Sequence, residues 1–400
     1  MRILVLAPQP FFKERGTPIA VRMLVETLAD TGYHVDLLVY HEGQDVSLSG
    51  AELHRIPSLP FVRNISPGFS IKKVVCDGFM VFKALQMIVK GRYDLIHAVE
   101  ESAFIARALQ WLSQTPYVYD MDSSMPQQIL DKYEFAEAIE CIMDALERWV
   151  INGSAATVVV CRSLEERVRR VSINKPILRL EDVSLLQETE VDEDLRRDYA
   201  VDGPMVMYVG NLESYQGIDL LLDSFGLLQA QVCNAHLMII GGSKEHVQKY
   251  KQYVTTRDLQ RHVHFAGPRP LAHLGAYLQQ ADILVSPRSQ GENTPMKIYS
   301  YLDSGRPVVA TRRRTHTQVL DDEIAMLAEP APKAMADAMH QLIRDRALQK
   351  RLVANASDRV AQEFSPAAFR RKLTDFYEMI ERDVLAFDER EETESFVTAE

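Results

Sequence analysis

The chain has 400 residues, 46% of them hydrophobic and 25% charged, and carries a formal net charge of −11. That length exceeds one ordinary hydrophobic core and suits two domains, while the acidic balance argues against a nucleic-acid partner, which would need a basic stripe to displace counterions. Cys76, Cys141, Cys161 and Cys233 lie far apart with no CxxC pair and no zinc spacing, which argues against a disulfide framework and fits a reducing cytoplasm.

In chain order, Ile3–Ala7 reads as a buried strand, and the apolar run at the N-terminus is too short for a signal peptide. A loop follows to Gly16. Thr17 suits an N-cap and Pro18 the first helical position. Val21, Leu24, Val25 and Leu28 then recur at helical spacing, and Gly32 closes the helix. Further strands are expected at Val35–Val39, Leu53–Ile56, Asp94–Ala98, Tyr117–Tyr119, Thr157–Val160 and Ile177–Leu180. Strands separated by helices imply a parallel, doubly wound α/β sheet.

Between Arg63 and Arg92 the basic residues are Arg63, Lys72, Lys73, Lys83, Lys90 and Arg92, against the single acid Asp77. Ile71, Val74, Val75, Phe79, Met80, Phe82, Leu85, Met87 and Ile88 are interleaved with them. Two readings stand: a basic amphipathic surface that rests on anionic lipid, or the inner face of an ordinary helix. No stretch reaches the roughly 18 apolar residues of a membrane span, so membrane contact through 63–92 would be peripheral.

The pattern restarts near Met205. Strands are expected at Met205–Val209, His236–Ile240, Val263–Phe265, Ile283–Val285, Val308–Ala310 and Ala325–Leu327, with helices at Leu220–Leu228 and Leu271–Gln279 between them. The polar stretch Glu188–Asp198 reads as a linker. From Ala347 to about Asp383 the chain reads as helical, and the acidic tail after Asp388 as disordered.

Open α/β sheets bind ligands beyond the carboxyl ends of their strands. The loops there lack GxGxxG, the Walker loop, GxSxG and HExxH, which removes the main sequence support for a nicotinamide or flavin enzyme. Each half instead has a Thr-Pro helix start, Thr17-Pro18 and Thr294-Pro295, whose free N–H groups can hold a phosphate. Lys297 falls in the first turn of the second helix, where a cation opposes the helix dipole unless an anion is bound. The plain alternative is that Thr294 is a cap and Lys297 a solvated lysine. Arg312-Arg313-Arg314 lies at the carboxyl end of the next strand, where guanidinium forks match phosphate oxygens or form a solvated charge run. In the first half, one strand ends with His97, Glu100 and Glu101 and another with Asp120, Asp122 and Ser123. Polar residues there are site candidates; Asp122 and Ser123 also suit the start of a helix containing Gln127 to Leu130.

Three segments taken together carry a resemblance: Pro295 to Leu320, above all Lys297-Ile298-Tyr299-Ser300-Tyr301-Leu302-Asp303-Ser304-Gly305-Arg306-Pro307; Tyr208-Val209-Gly210-Asn211 through Gln216-Gly217-Ile218-Asp219; and Gly16–Asp36. The sequence resembles a retaining glycosyltransferase of family 4, with the GT-B fold, over nearly its whole length. The resemblance implies two Rossmann-like domains facing across a cleft: an acceptor-side domain at 1–185 and a donor-binding domain at 186–365. A helix at 366–387 would cross back to the first, and an acidic tail would occupy 388–400. It implies a nucleotide-diphosphate sugar as donor, a sugar or lipid-linked acceptor, retention of configuration, and neither metal nor cofactor. The setting would be polysaccharide or glycoconjugate synthesis in the cytoplasm, peripheral to the membrane's inner face.

Residue by residue the match is mixed. The first glutamate of the family's paired motif falls on Glu292, which would touch donor-sugar hydroxyls. The second, a ribose ligand, falls on Ser300. The diphosphate-binding Arg and Lys fall on Asn211, beside Gly210, and on Gln216. The active-site His falls on Asp122. Gly16 matches the flexible glycine of the first loop, and Thr17 replaces a second one. Lys297, the helix start at Asn293–Thr294 and one or more of Arg312, Arg313 and Arg314 are expected to replace the missing cations. Asp122 would orient the acceptor hydroxyl or stabilise oxocarbenium character, with His97 and Glu100 on the acceptor side. The departures leave two rivals open: another enzyme of this fold, an epimerase or phosphorylase, and a non-catalytic sugar-nucleotide binder.

Overall fold

The computed structural model describes residues 1–12, 16–65, 70–126, 140–187, 189 and 191–385. Seven strands build the first sheet: β1 (Arg2–Ala7), β2 (His34–Val39), β3 (Ala51–Arg55), β4 (Leu95–Val99), β5 (Tyr117–Met121), β6 (Ala156–Val159) and β7 (Ile177–Arg179). Six build the second: β8 (Met205–Val209), β9 (His236–Ile240), β10 (Val263–Gly267), β11 (Ile283–Ser286), β12 (Val308–Thr311) and β13 (Met326–Ala328). The orders are β3-β2-β1-β4-β5-β6-β7 and β10-β9-β8-β11-β12-β13, and the paired strands run parallel. Strand order therefore reverses between β1 and β4 and between β8 and β11. Such a reversal opens a crevice at the carboxyl ends of the two strands, because the crossover helices leave on opposite faces.

Period-two alternation sends one strand's side chains to both faces, and in a buried parallel strand both faces must be apolar. Along β8, Val206 and Tyr208 pack with Leu221, Phe225 and Met339 on one side. Met205 and Met207 pack with Leu284, Ile298 and Leu302 on the other. Each element between the strands closes one of these layers, as the helix Ile218–Gln229 does with the buried Leu221, Leu222 and Phe225.

The chain divides into two units, Met1–Glu181 with Phe369–Glu400, and Asp182–Ala368. The helix Pro366–Ile380 thus returns to the first unit, where Tyr377 Oη lies 2.6 Å from His97 Nδ1 and Lys372 pairs with Glu181 at 3.0 Å. The acidic tail 388–400 lies outside the described residues.

Local expectations differ in two places, and a third element had two readings. The first helix runs Gly16–Asp30, so Thr17 sits inside its first turn instead of capping it. The stretch expected as a linker is bound into the second unit: Glu193 accepts from Arg269 at 2.6 Å and from Tyr277 at 2.8 Å, and Leu195 is fully buried. Composition gave it the look of a linker because its partners lie some eighty residues away. The helix Ile71–Gly91 has the inner face of an ordinary helix and also keeps apolar side chains on an outer one. Cys76, Met80, Ala84 and Met87 form a buried inner face, while Ile71, Val74, Phe82 and Val89 stand on an exposed outer one.

Candidate functional site

The reversal point of the second sheet brings the loop after β8 beside the loop after β11. Tyr208 and Val209 end β8, and Gly210 follows with φ +151°. A Cβ on Gly210 would stand 2.7 Å from Lys297 Nζ, so glycine is what lets the ammonium approach that strand end. Lys297 opens the helix Lys297–Asp303. Its Nζ donates to Tyr208 Oη at 2.9 Å and to Gln216 Oε1 at 3.1 Å, and lies 4.0 Å from the centre of the Tyr208 ring. Tyr208 spends its own proton on the carbonyl of Asn211, at 2.6 Å, which leaves its oxygen lone pairs for the lysine. Burial pulls the Lys297 pKa well below the ordinary lysine value, and the positive charge of Arg288 pulls it in the same direction. Its hydrogen-bond partners are both neutral, and no carboxylate among the described residues pairs with it.

Arg288 follows β11 and was not among the residues singled out from the sequence. Its Nε donates to Gln290 O at 2.8 Å, and its guanidinium lies 5.1 Å from the centre of the Tyr215 ring. Burial lowers its pKa too, and no carboxylate among the described residues pairs with it. Two part-buried cations, neither with a carboxylate partner among the described residues, therefore share the reversal point. Removing a charge from water costs free energy unless an opposite charge returns it. An anion with two negative charges would do so.

The loops that carry these cations are fixed from behind by His316, fully buried. It hydrogen-bonds Ser286 Oγ at 2.9 Å and Thr311 Oγ1 at 3.0 Å, and Thr311 Oγ1 in turn donates to Arg288 O at 2.5 Å. Burial, with Arg288 and Lys297 adding to it, pushes His316 down to about 4, so it stays neutral beside them. The loop before Lys297 is pinned as well. Gln318 donates to Glu292 O at 2.6 Å and Thr315 to Asn293 O at 2.7 Å. This leaves the Glu292 side chain exposed to solvent. A cavity of about 630 Å³ opens at the carboxyl ends of β8, β9 and β10, walled by Gly210 and Asn211, by Gly241 and Gly242, and by Pro268 and Arg269.

Several expected site residues take other roles. Thr294 does not cap the helix, which begins three residues later; its hydroxyl is buried and has no hydrogen-bond partner. Ser300 is fully buried and accepts the Leu185 N–H at 3.1 Å, so it cannot reach a ribose from there. Arg312 is spent on Asp322, at 2.7 Å, on an exposed surface. Asn211 is exposed beside the cavity, with Nδ2 3.2 Å from Tyr215 Oη. Gln216 is buried and serves as the lysine's acceptor.

In the first unit, Gly16 and Thr17 open the first helix, just past the undescribed residues 13–15 that follow β1. His97, expected on the acceptor side, is a core residue. Tyr377 and Asp120 occupy both its ring nitrogens, at 2.6 and 3.0 Å, and no side-chain surface remains for a ligand. Glu100 does stand at the carboxyl end of β4, half-buried, with φ +50°. A left-handed backbone at a residue other than glycine costs free energy and is retained where neighbours enforce it, here through the Glu100 N–H bond to Asp120 O at 2.8 Å. Burial and then the neighbouring Glu101 push its carboxyl well above the usual range. Asp122 is half-buried one residue past β5; the helix expected from Gln127 lies outside the described residues.

Comparison with known proteins fits both sheets. Residues 203–345 match the family model described as glycosyl transferases group 1, and residues 15–179 match a glycosyl transferase 4-like domain. A phosphatidyl-myo-inositol mannosyltransferase of Mycolicibacterium smegmatis is 24% identical over 369 residues, covering 90% of this chain and 89% of that protein. An alpha-D-kanosaminyltransferase of Streptomyces kanamyceticus is 21% identical over 391 residues, covering 90% and 99%. Among solved structures, a sucrose-phosphate synthase from Thermosynechococcus elongatus superposes with a TM-score of 0.76 at 21% identity, covering 95% of this chain and 98% of that one. Anabaena HepE in complex with UDP gives 0.72 at 14% identity, covering 94% and 100%.

Proposed function

Because the chain belongs to the family 4-like glycosyltransferases of GT-B fold, we propose that it transfers a sugar from a nucleotide-diphosphate donor held by the second unit, with retention of configuration and without a metal ion. The observation that carries this reading is the pair Lys297 and Arg288: two part-buried cations at the reversal point of the sheet, without carboxylate partners among the described residues. A diphosphate bound there would regain the electrostatic free energy that their burial costs. Its oxygens would take the remaining Lys297 protons, the Arg288 fork and the unpartnered Thr294 hydroxyl. Negative charge grows on the leaving diphosphate in the transition state, so fixed donors aimed at it lower the barrier more than they tighten the ground state. This is the task a metal would otherwise share. The cavity beside Gly210 and Asn211 would take the nucleoside, and Glu292 the donor-sugar hydroxyls.

The acceptor falls to the first unit. Glu100, at the end of β4, accepts the hydrogen bond of the incoming hydroxyl once ionised, with Asp122 one residue past the neighbouring strand β5. The outer face of the helix Ile71–Gly91 supports peripheral contact with an anionic membrane at the inner surface, where a lipid-linked acceptor would reside. Ile71, Val74, Phe82 and Val89 are exposed there, as are Lys72, Lys90 and Arg92, while the one acid, Asp77, turns inward to Tyr40.

A ligand that binds only the folded state must raise its melting temperature. Melting curves with UDP, GDP and ADP should show a shift for at least one nucleotide, and Lys297→Gln with Arg288→Gln should abolish it. A shift of the same size in the doubly substituted protein would refute the assignment.

A further inference from the structure

The first unit contains a separate cavity of about 270 Å³. Phe104 and Ile105 reach it from the helix Ser102–Ser113, and Met143 and Leu146 from the helix Glu140–Gly153. Among the described residues, the polar part of its wall is two carboxylates, Asp77 and Glu101. Neither needs a ligand for its own satisfaction. Asp77 accepts from Tyr40 Oη at 2.5 Å, and Glu101 is ion-paired with Lys73. Glu101 is also the chain neighbour of Glu100, the carboxylate assigned above to the acceptor hydroxyl, and its charge helps to raise that carboxyl. The polar wall of the cavity is therefore continuous with the acceptor end of β4. The volume falls below the ~300–1,000 Å³ of pockets that enclose a whole ligand. The space suits one apolar part of a larger molecule.

We propose that this cavity is the hydrocarbon subsite of the acceptor: the acceptor is an amphiphile whose hydroxyl meets Glu100 and whose proximal chain lies among Phe104, Ile105, Met143 and Leu146. The proposal rests on the transferase reading and names its acceptor class. Asp77 lies on the helix whose outer face carries Ile71, Phe82 and Val89, so one helix borders both the cavity and the surface assigned to lipid. A purely polar acceptor would leave this apolar wall wet. A chain would dry it, and each methylene buried is worth about fourfold in affinity.

The test is direct binding of n-alkyl β-D-glucosides from methyl to decyl, each below its micelle concentration, measured by calorimetry on the full chain. Affinity should climb about fourfold per carbon and then level once the chain outgrows the cavity. Levelling separates a bounded site from adsorption to an open apolar surface, which continues to climb. Met143→Trp fills the space and should flatten the series; Leu146→Trp, at a partly exposed position that tolerates bulk, should do the same if the first variant folds poorly. A wild-type series independent of chain length, or one that climbs without levelling, overturns the proposal, as does an unchanged series in both variants. Nucleotide melting shifts on the same samples read the donor site separately, so loss of one signal with retention of the other assigns the failure to the cavity or to the transferase reading.

Discussion

Replacing Lys297 with glutamine separates a charge held for a ligand from a strut of the core. Glutamine keeps a donor that can reach Gln216 Oε1 or Tyr208 Oη, so the packing and part of the hydrogen bonding survive while the charge is lost. Removing one preorganised donor from a charge that develops in the transition state costs about 10²–10³ in kcat, or roughly 2.7–4 kcal/mol. Lys297→Gln should therefore lower kcat by about two to three orders of magnitude and weaken nucleotide diphosphates more than the nucleosides.

Stability should move the other way. The folded protein disfavours protonation of Lys297, whose pKa burial holds well below 10.5, and the unfolded chain does not. The unfolded state then binds more protons between the lowered value and 10.5, and stability rises with pH through that window. Denaturant titrations of the ligand-free protein from pH 7 upward should show that rise. Lys297→Gln should lose it, because the titrating group is gone. Bound diphosphate should suppress it in the wild type, because an anion favours the charged form. A variant that is destabilised at every pH and retains its kcat would refute the reasoning and make Lys297 a structural residue.

Ser300→Ala should leave the Leu185 N–H without its partner and cost about 1–3 kcal/mol, measured by denaturation, while the nucleotide-induced melting shift stays as it was. Wild-type kcat/KM should rise with pH above the usual carboxylate range, as Glu100 ionises. Glu100→Gln should flatten that limb and reduce activity by about 10²-fold or more; an unchanged profile would remove Glu100 from the acceptor site. Phe82→Asp with Lys90→Glu should abolish co-flotation with anionic vesicles, and wild-type binding should weaken in high salt, since surface attraction is screened within about 10 Å at 0.1 M.

Most of the thirteen strands among the described residues were legible because a parallel strand buried on both faces must be a largely apolar run, as in Ile3–Ala7 and His236–Ile240; the less buried β3 and β7 were placed by the strand-helix alternation around them. The site was legible to the level of its loops, since the carboxyl-end rule selects them. It was not legible to the level of partners. Ser300, His97 and Arg312 are polar residues at the expected strand and helix ends, yet Leu185, Tyr377 with Asp120, and Asp322 consume them. Two of those partners lie more than a hundred residues distant in sequence. Arg288 was missed for the converse reason. The same rule that drew attention to Arg312 applies to Arg288, two residues past β11, but what distinguishes it is the lack of a counter-ion, a property of the folded chain alone.

The contact between Lys297 and Gln216 can be tested on its own. The resemblance puts the family's lysine at Gln216, and in this chain Gln216 accepts a hydrogen bond from Lys297 at 3.1 Å. The two side chains meet at one point in space, so on the proposed donor reading Lys297 would supply there the ammonium that Gln216 lacks. Gln216→Lys alone would set two ammonium groups against each other, at a cost of about 4 kcal/mol for charges 4 Å apart in a surroundings of intermediate dielectric. It should lower both stability and kcat. Combined with Lys297→Gln, it returns one cation and one amide to the same place with the roles exchanged. The pair should recover much of the kcat that each substitution loses singly, giving a coupling free energy in kcat of the opposite sign to the single effects. Additive losses would mean that the two side chains act at separate points, and that the charge balance at the end of β8 is not what these loops preserve.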